Sequence, residues 1–411
     1  MTAPVLALVE SNTTGSGREF CAAARARGIR PLLLTRDPGR YPYVAEDHVD
    51  VLDVDTSDDT AVLTACRGMG AALVGVISSS EYFLVAAATA AATLGLGGAD
   101  PAALLRCRHK DRQRRTLAAA GLPVPAFRAA TEVDEAVAVA TDLGYPVVVK
   151  PTTGSGSVGV RLCRTAAEVS SHAEALLGRT SNERGIAGPR LVLVEEYVTG
   201  REFSVETLGA TPIAVVGKRL GPEPYFVETG HDVPAPVERH RSAELATVAM
   251  RAVATLGVGW GAAHTELRWT ARGPVLMEVN PRLAGGMIPA LVRLATGVDL
   301  VDAVVARATG HVTTTVPRAR GAASIRFVRA GRSGTVIATH GTAAARAMPG
   351  VAAAVVTVRP ADTVTLSQSF TDRIGYAIAS GPDPATSAQR ATAAAAALHI
   401  DIRPIPLGSE P

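Results

Sequence analysis

At 411 residues the chain is long enough for two or three domains and a sizeable buried core. Its 41 basic and 38 acidic residues leave a net charge of +3, which carries neither a nucleic-acid footprint nor a polybasic membrane signal. No stretch supplies the ~20 apolar residues of a membrane span, and Leu84–Gly98, the nearest to one, reads as a short Ala/Thr-rich helix. Met1 to Glu10 lacks the basic start and uninterrupted apolar run of a secretion signal. Cys21, Cys66, Cys107 and Cys163 form no CxxC pair, so neither a disulfide framework nor a zinc site is expected, and a reducing cytoplasm is the expected compartment.

Val5–Val9, Ile29–Thr35 and Gly75–Ser78 read as buried strands, with helices over Arg18–Arg27 and Tyr82–Leu94. Strand, loop and helix at this spacing predict a doubly wound parallel sheet, with ligand loops at the carboxyl ends of its strands. Gly15-Ser-Gly17 with Asp37 suggests a dinucleotide site, but Phe20 stands where that motif needs its third glycine, and a nicotinamide site is not expected. Ser78-Ser79-Ser80-Glu81 is either a substrate loop or a helix cap, and capping is the preferred reading of the serines. Pro101 opens a helix whose charge run, Arg106 to Arg115, predicts a mostly solvated face. After the break at Gly121–Pro125, Thr131 with Asp134 gives a capping signal for a helix to Gly144.

Tyr145-Pro-Val-Val-Val-Lys150 is a strand, and Gly154, Gly156 and Gly159 then match GxGxxG letter for letter. Val160–Cys163 alternates like another strand, so this loop joins two strands and fails the Rossmann context. No Gly-Lys-Ser/Thr ending makes it a Walker loop. A glycine-rich hairpin beside a strand lysine instead suits backbone amides and one cation laid over ATP phosphates; the alternative is a mobile surface hairpin. Helix Ala166–Leu177 follows, then an apolar strand ending in Glu195-Glu196-Tyr197-Val198, which could pair its backbone with an adenine edge. Strands are expected at Phe203–Leu208 and at Val215–Arg219, which carries Lys218. Prolines frame Glu228 and His231 in what reads as an ordered loop, before an amphipathic helix Arg241–Leu256.

His264 to Pro289 forms two strands joined at Arg272-Gly273-Pro274. Glu266 lies near the end of the first, while Glu278 and Asn280 alternate onto one face of the second. Two carboxylates, an amide and then Arg282 suit magnesium plus a phosphate; a solvated hairpin would show the same alternation. From about Val312 the texture changes to strands and an Ala-rich helix with few candidate catalytic groups, read as a separate small α+β cap.

Together Lys110, Lys150 with its glycine hairpin, Glu195–Val198, Glu266 and Glu278-Val-Asn280-Pro-Arg282 resemble the ATP-grasp superfamily of carboxylate–amine ligases. Within it the chain is similar to the L-amino-acid ligases of microbial peptide and antibiotic pathways. That likeness rests on Thr152-Thr-Gly-Ser-Gly156, Glu228 with His231, His264-Thr-Glu266, and Arg282 followed by Ala284-Gly285-Gly286. The resemblance implies an α/β chain with a Rossmann-like pre-ATP-grasp domain over 1–100, an ATP-grasp domain over 101–311 with a mobile lid at about 120–194, and a small C-terminal α+β domain over 312–411. The reaction it implies is joining of two amino acids through an acyl phosphate, with ATP and magnesium, or manganese in its place.

By the same resemblance Lys110 and Lys150 contact phosphates, and Gly154, Ser155, Gly156, Ser157 and Gly159 close over them. Glu195 meets the adenine amino group, Glu196 and Val198 bond the base through their backbone, and Glu202 holds the ribose. Glu266, Glu278 and Asn280 carry the metal. Arg282 and the Gly285 N–H donate to the tetrahedral oxyanion, His231 orients or deprotonates the amine, Glu228 holds an ammonium, and Lys218 joins them as a catalytic candidate. Gly286, lacking a side chain, leaves room for a larger first amino acid. The partners implied are small-molecule substrates, with no nucleic acid or membrane and with a homodimer as an option. Two other readings remain: a biotin-carboxylase- or purine-type enzyme that activates bicarbonate or formate, and a nucleotide-binding regulator without turnover.

Overall fold

The structure, a computed structural model, describes residues 3–12, 16–182, 184–313 and 315–404; Gly15 of the discarded dinucleotide motif lies outside them. The first unit is a parallel sheet of β1 (Val5–Val9), β2 (Arg30–Leu34), β3 (Asp50–Leu52) and β4 (Leu73–Ile77) in the order β3-β2-β1-β4. Every residue of β1 is buried, as a strand covered on both faces requires. Phe20 packs into the core from helix Ser16–Ala26.

The second unit holds β5 (Phe127–Ala130), β6 (Val147–Pro151), β7 (Arg161–Cys163) and β8 (Val192–Glu196), ordered β5-β8-β6-β7. Helices Val133–Leu143 and Ala166–Leu177 cover it, and the unit has its own apolar cluster around Val147, Val149, Val169 and Val194. The first helix begins after Glu132 with no side-chain cap bond, and it is Glu135, not Asp134, that accepts the Thr131 N–H at 2.8 Å.

The remainder is built on one eight-stranded sheet. From the middle of the chain come β9 (Arg201–Leu208), β10 (Thr211–Leu220), β11 (Glu228–Val233), β12 (Ala262–Thr270) and β13 (Gly273–Asn280). The C-terminal part adds β14 (Ala322–Arg329), β15 (Gly334–His340), β16 (Val351–Val356), β17 (Thr363–Val364), β18 (Arg373–Gly381) and β19 (His399–Arg403). The order β13-β12-β9-β10-β11-β14-β18-β16 crosses the expected boundary near 312, and only β15, β17 and β19 form a small sheet of their own. The C-terminal region thus continues the large sheet through β14, while keeping small apolar clusters of its own around Ala377 and Val336. β11 pairs antiparallel with β14, matching His231 to Ile325 and Gly230 to Arg326. This also corrects the loop expected around His231: it lies within a strand that has a neighbour on each side.

Candidate active site

The β12–β13 hairpin sets the frame. Glu266 and Glu278 are cross-strand partners, and Asn280 stands opposite His264. β13 is an edge strand whose outer side meets the helix Lys110–Ala119. Residues i, i+3 and i+4 of that helix share one face. Lys110 reaches Glu278 at 3.0 Å, Gln113 donates to Val279 O and accepts from Val279 N–H at 2.8 Å each, and Arg114 donates to Met277 O. The charge run therefore does not make a solvated face throughout; Lys110, Gln113 and Arg114 are buried because this face completes the sheet edge, and Asp111 beside them is buried against Arg115.

Lys110 also donates to Gly154 O at 2.6 Å, tying the glycine-rich loop to the metal-type hairpin. Lys150 and Arg114 grip Glu195 from two sides, at 2.5 and 2.6 Å, and all three side chains are nearly inaccessible. Burial pushes the Lys150 ammonium down, and Glu195 only partly restores it. Burial would raise the Glu195 carboxyl, but Arg114 and Lys150 hold it below the usual range. Its carboxylate is committed to two cations, a different placement from the adenine edge that the resemblance implied.

Glu196 turns away from the cavity and accepts from Ala126 N–H and Arg272. Val198 lines the cavity, and its carbonyl accepts from Arg268 at 2.7 Å. Gly159 stands behind the loop, against Leu176, while Gly154 to Val158 face the cavity.

Lys218 is the hub of the opposite wall. Its ammonium lies 2.8 Å from Glu202, 2.8 Å from Glu228 and 3.1 Å from Glu266. Burial opposes its charge, yet the three carboxylates hold its pKa well above the ordinary value. Glu202 also receives Arg268 at 3.1 Å. His264 bridges Glu206 and Glu266 at 2.7 and 2.9 Å. Burial works against its protonation, but the flanking carboxylates push its pKa up to about 10.

His231 is fully buried behind Glu228, and neither ring nitrogen has a hydrogen-bond partner. Burial pulls its pKa down to about 3, with Glu228 only partly offsetting it, so the ring is neutral. It covers the expected vacancy at Gly286. A Cβ there would lie 2.6 Å from His231 Nε2 and 3.5 Å from Phe327 Cζ, on a backbone with φ of +59°. The space is filled by the chain's own side chains, not left for a larger substrate.

Arg282 donates to Glu81 at 3.0 and 2.6 Å and to Leu283 O at 3.0 Å. Glu81 thus serves a long-range pair, and the serines before it do not cap as expected. Ser78 Oγ accepts from Ser80 N–H, Ser79 Oγ accepts from Asn12 N–H, and Ser80 makes no side-chain cap bond. Gly285 has open space on its Cα side.

These groups surround a cavity of about 920 Å³, counting its open mouth. Among the described residues no cluster of three His, Cys, Asp or Glu side chains is arranged as a metal site. The implied set has only two carboxylates, plus the amide of Asn280. It fits a hard cation: Glu266 and Glu278 are neighbours across the hairpin, and each already faces a lysine ammonium in the cavity. A second, largely apolar cavity of about 680 Å³, again counting its mouth, lies between the first sheet unit and the hairpin; Phe20, Ile77, Leu84, Ala88 and Trp260 line it. Arg282 lies in the wall of both cavities.

Sequence reasoning missed Arg114, Gln113, Glu81 and Arg373. The last donates to Glu228 at 2.5 Å from the C-terminal region, where few catalytic groups were expected. Only Arg114 and Gln113 carried a signal, their helical spacing from Lys110.

The ATP-grasp domain family matches residues 143–290, and the L-amino acid ligase C-terminal domain 2 family matches 326–403. An uncharacterized protein of Sinorhizobium fredii, y4rH, is 38% identical over 379 residues, 92% of this chain and 78% of that protein. Human carnosine synthase 1 is 29% identical over 326 residues, 73% of this chain; the alignment spans 39% of the synthase. The crystal structure of an L-amino acid ligase from Bacillus licheniformis superposes with a TM-score of 0.81 at 21% identity, covering 98% of this chain and 100% of that one, which shows a shared fold. The chain belongs to the ATP-grasp superfamily of carboxylate–amine ligases, enzymes that form C–N bonds, and is similar to its L-amino-acid ligases.

Proposed function

We propose that the protein joins two amino acids into a dipeptide, activating one carboxylate as an acyl phosphate at the expense of ATP. The observation that carries this reading is the double exposure of Arg282, which faces the lysine-rich cavity on one side and the apolar cavity on the other. A substrate reacting beside Arg282 can keep its polar end with the phosphates and its side chain in the apolar cavity.

In the first step a carboxylate oxygen bonds to the γ-phosphorus, the bond to the β-bridging oxygen breaks, and ADP leaves. Lys110 and Lys150 neutralise the phosphates, and the amides of Gly154 to Ser157 cover them. Magnesium, held by Glu266, Glu278 and Asn280, supplies further charge neutralisation when bound. Val198 and the backbone of Glu196 border the base, and Glu202 the ribose. In the second step the neutral amine nitrogen bonds to the acyl carbon, the carbon–oxygen bond to phosphate breaks, and phosphate leaves carrying the proton that the nitrogen loses as the amide forms. Arg282 has N–H groups beyond those given to Glu81 and Leu283 O, and these, with the Gly285 N–H, meet the oxyanion. Glu228 receives the ammonium end of a substrate, and His231 supports it from behind. The hairpin-and-lid closure keeps water from the acyl phosphate.

The apolar wall favours a substrate with a hydrocarbon side chain. Release of ADP, measured with ATP, magnesium and single amino acids in pairs, should be highest when one partner is leucine-, methionine- or phenylalanine-like. ADP release driven by bicarbonate alone, indifferent to amino acids, would replace this reading with the carboxylase-type one.

A further inference from the structure

The turn that leads into β18 touches the site in two places. Phe370 lies against the middle glycine of the glycine-rich loop: its N–H donates to Gly156 O at 3.4 Å, and a Cβ on Gly156 would fall 2.2 Å from Phe370 Cδ1. Gly156 also has a φ of +65°, so the loop needs glycine there both for the backbone and for the ring. Three residues later Arg373 donates from Nη2 to Glu228 Oε2 at 2.5 Å and from Nε to the Glu228 carbonyl at 3.2 Å, with its guanidinium 4.2 Å over the Phe327 ring. The other Glu228 oxygen faces Lys218, which must also balance Glu202 and Glu266. The turn between the two contacts is firmly built. Asp372 is fully buried and accepts from the Ser367 N–H and hydroxyl at 2.8 and 2.9 Å, and Ser369 Oγ accepts from Thr371 N–H.

We propose that this turn makes the C-terminal region a working part of the active site: Phe370 is the seat on which the glycine-rich loop closes, and Arg373 is a positioning residue that fixes Glu228. Arg268 also serves Glu202 and His264 also serves Glu266, so without Arg373 it is Glu228 that would be left with Lys218 as its one close cation, and with its orientation lost. Without Phe370 the loop would lose its stop while the carboxylate cluster stayed intact. One turn therefore serves two substrates through separate contacts.

The inference uses the ligase reading for its kinetic assay only. In the full-length protein Phe370→Ala should weaken ATP, read as affinity for a non-hydrolysable ATP analogue by calorimetry, by about tenfold while leaving the amino-acid KM in place. Arg373→Ala should do the reverse: amino-acid KM rises, nucleotide affinity holds, and the acid limb of the pH–rate profile moves to higher pH as Glu228 loses a cation. Arg373→Lys should return that limb towards its original position. Gly156→Ala should be less harmful in a Phe370→Ala background than alone, since the clash is relieved. Proportional losses of both substrates in each variant, an unmoved acid limb in Arg373→Ala, or simple additivity of Gly156→Ala with Phe370→Ala would overturn the proposal. If the wild type releases no ADP with any amino acid, the ligase reading fails, and nucleotide calorimetry on Phe370→Ala and on the Gly156→Ala double variant still decides the role of the seat. Phe370→Leu replaces Phe370→Ala where the smaller side chain prevents folding.

Discussion

His231 and His264 flank the same carboxylate cluster and are held in opposite charge states. His264 has a carboxylate at each nitrogen and stays protonated to about pH 10, while His231, enclosed without a hydrogen-bond partner and with Glu228 3.8 Å away, stays neutral down to about pH 3. The folded-state pKa of His264 is raised above 6.5, so its contribution to stability is complete below that value and is lost as pH rises towards 10. That of His231 is depressed, so its contribution is complete above 6.5 and is lost as pH falls towards 3. Imidazole NMR should therefore show one ring charged and one neutral throughout pH 6 to 8; a shared titration near the ordinary value would contradict these environments. The depressed basicity also limits His231 as a base, since a proton taken from an amine could be held only briefly.

At the same scale, Glu195→Ala would leave Lys150 and Arg114 buried without the carboxylate they share, though Arg114 would still donate to Met277 O. Loss of one partner from such a group costs roughly 3–5 kcal/mol, whereas a surface pair is worth ~1 or less. Chemical denaturation should show a loss of that order, far above that for Glu46→Ala, whose partner Arg18 is half exposed. Lys110 sat in a charge run that read as a mostly solvated face and entered through the resemblance alone, whereas the local patterns around Lys150, Glu266 and Glu278 were legible. Glu81 and Arg373 were not, because their partners Arg282 and Glu228 lie 201 and 145 residues away.

Among the elements, the β12–β13 hairpin was readable from its period of two and its glycine turn. β11 was not. Its Glu-Thr-Gly-His-Asp-Val sequence looks like a polar loop between prolines, yet it runs inside the large sheet, where its polar groups meet Lys218, Arg219, Arg326 and Arg373. Ion pairing replaced the apolar signal that strand recognition depends on. Two substitutions test these strands. Glu278→Ala should abolish magnesium-dependent phosphate release while leaving the far-UV circular dichroism unchanged; undiminished turnover would remove the hairpin from the metal site. Gly286→Ala forces a Cβ against His231 and a side chain into positive φ, and should lower the melting temperature, whereas an unchanged value would mean that His231 can move aside.

For the whole molecule, three strands of the parallel sheet were legible from their apolar runs, but the exposed β3 and the continuity of the eight-stranded sheet were not. One apolar cluster joins Leu6 and Phe20 of the first unit to Leu291 and Val305 and, beyond residue 312, to Ala323 and Ile378. The β5–β8 unit keeps a separate core around Val147 and Val194. Hydrogen exchange should therefore find residues 127–196 opening before the rest, and bound nucleotide should slow that opening through Lys110, Gly154 and Phe370. Uniform exchange over the chain would contradict a lid with its own core.

The central claim is that a carboxylate is phosphorylated before an amine is joined to it. Amino acid labelled with ¹⁸O in its carboxylate, incubated with the protein, ATP and an acceptor amino acid, tests this directly by mass spectrometry of the phosphate released. One labelled oxygen should pass to phosphate for each dipeptide formed; unlabelled phosphate accompanying product would contradict the acyl-phosphate route.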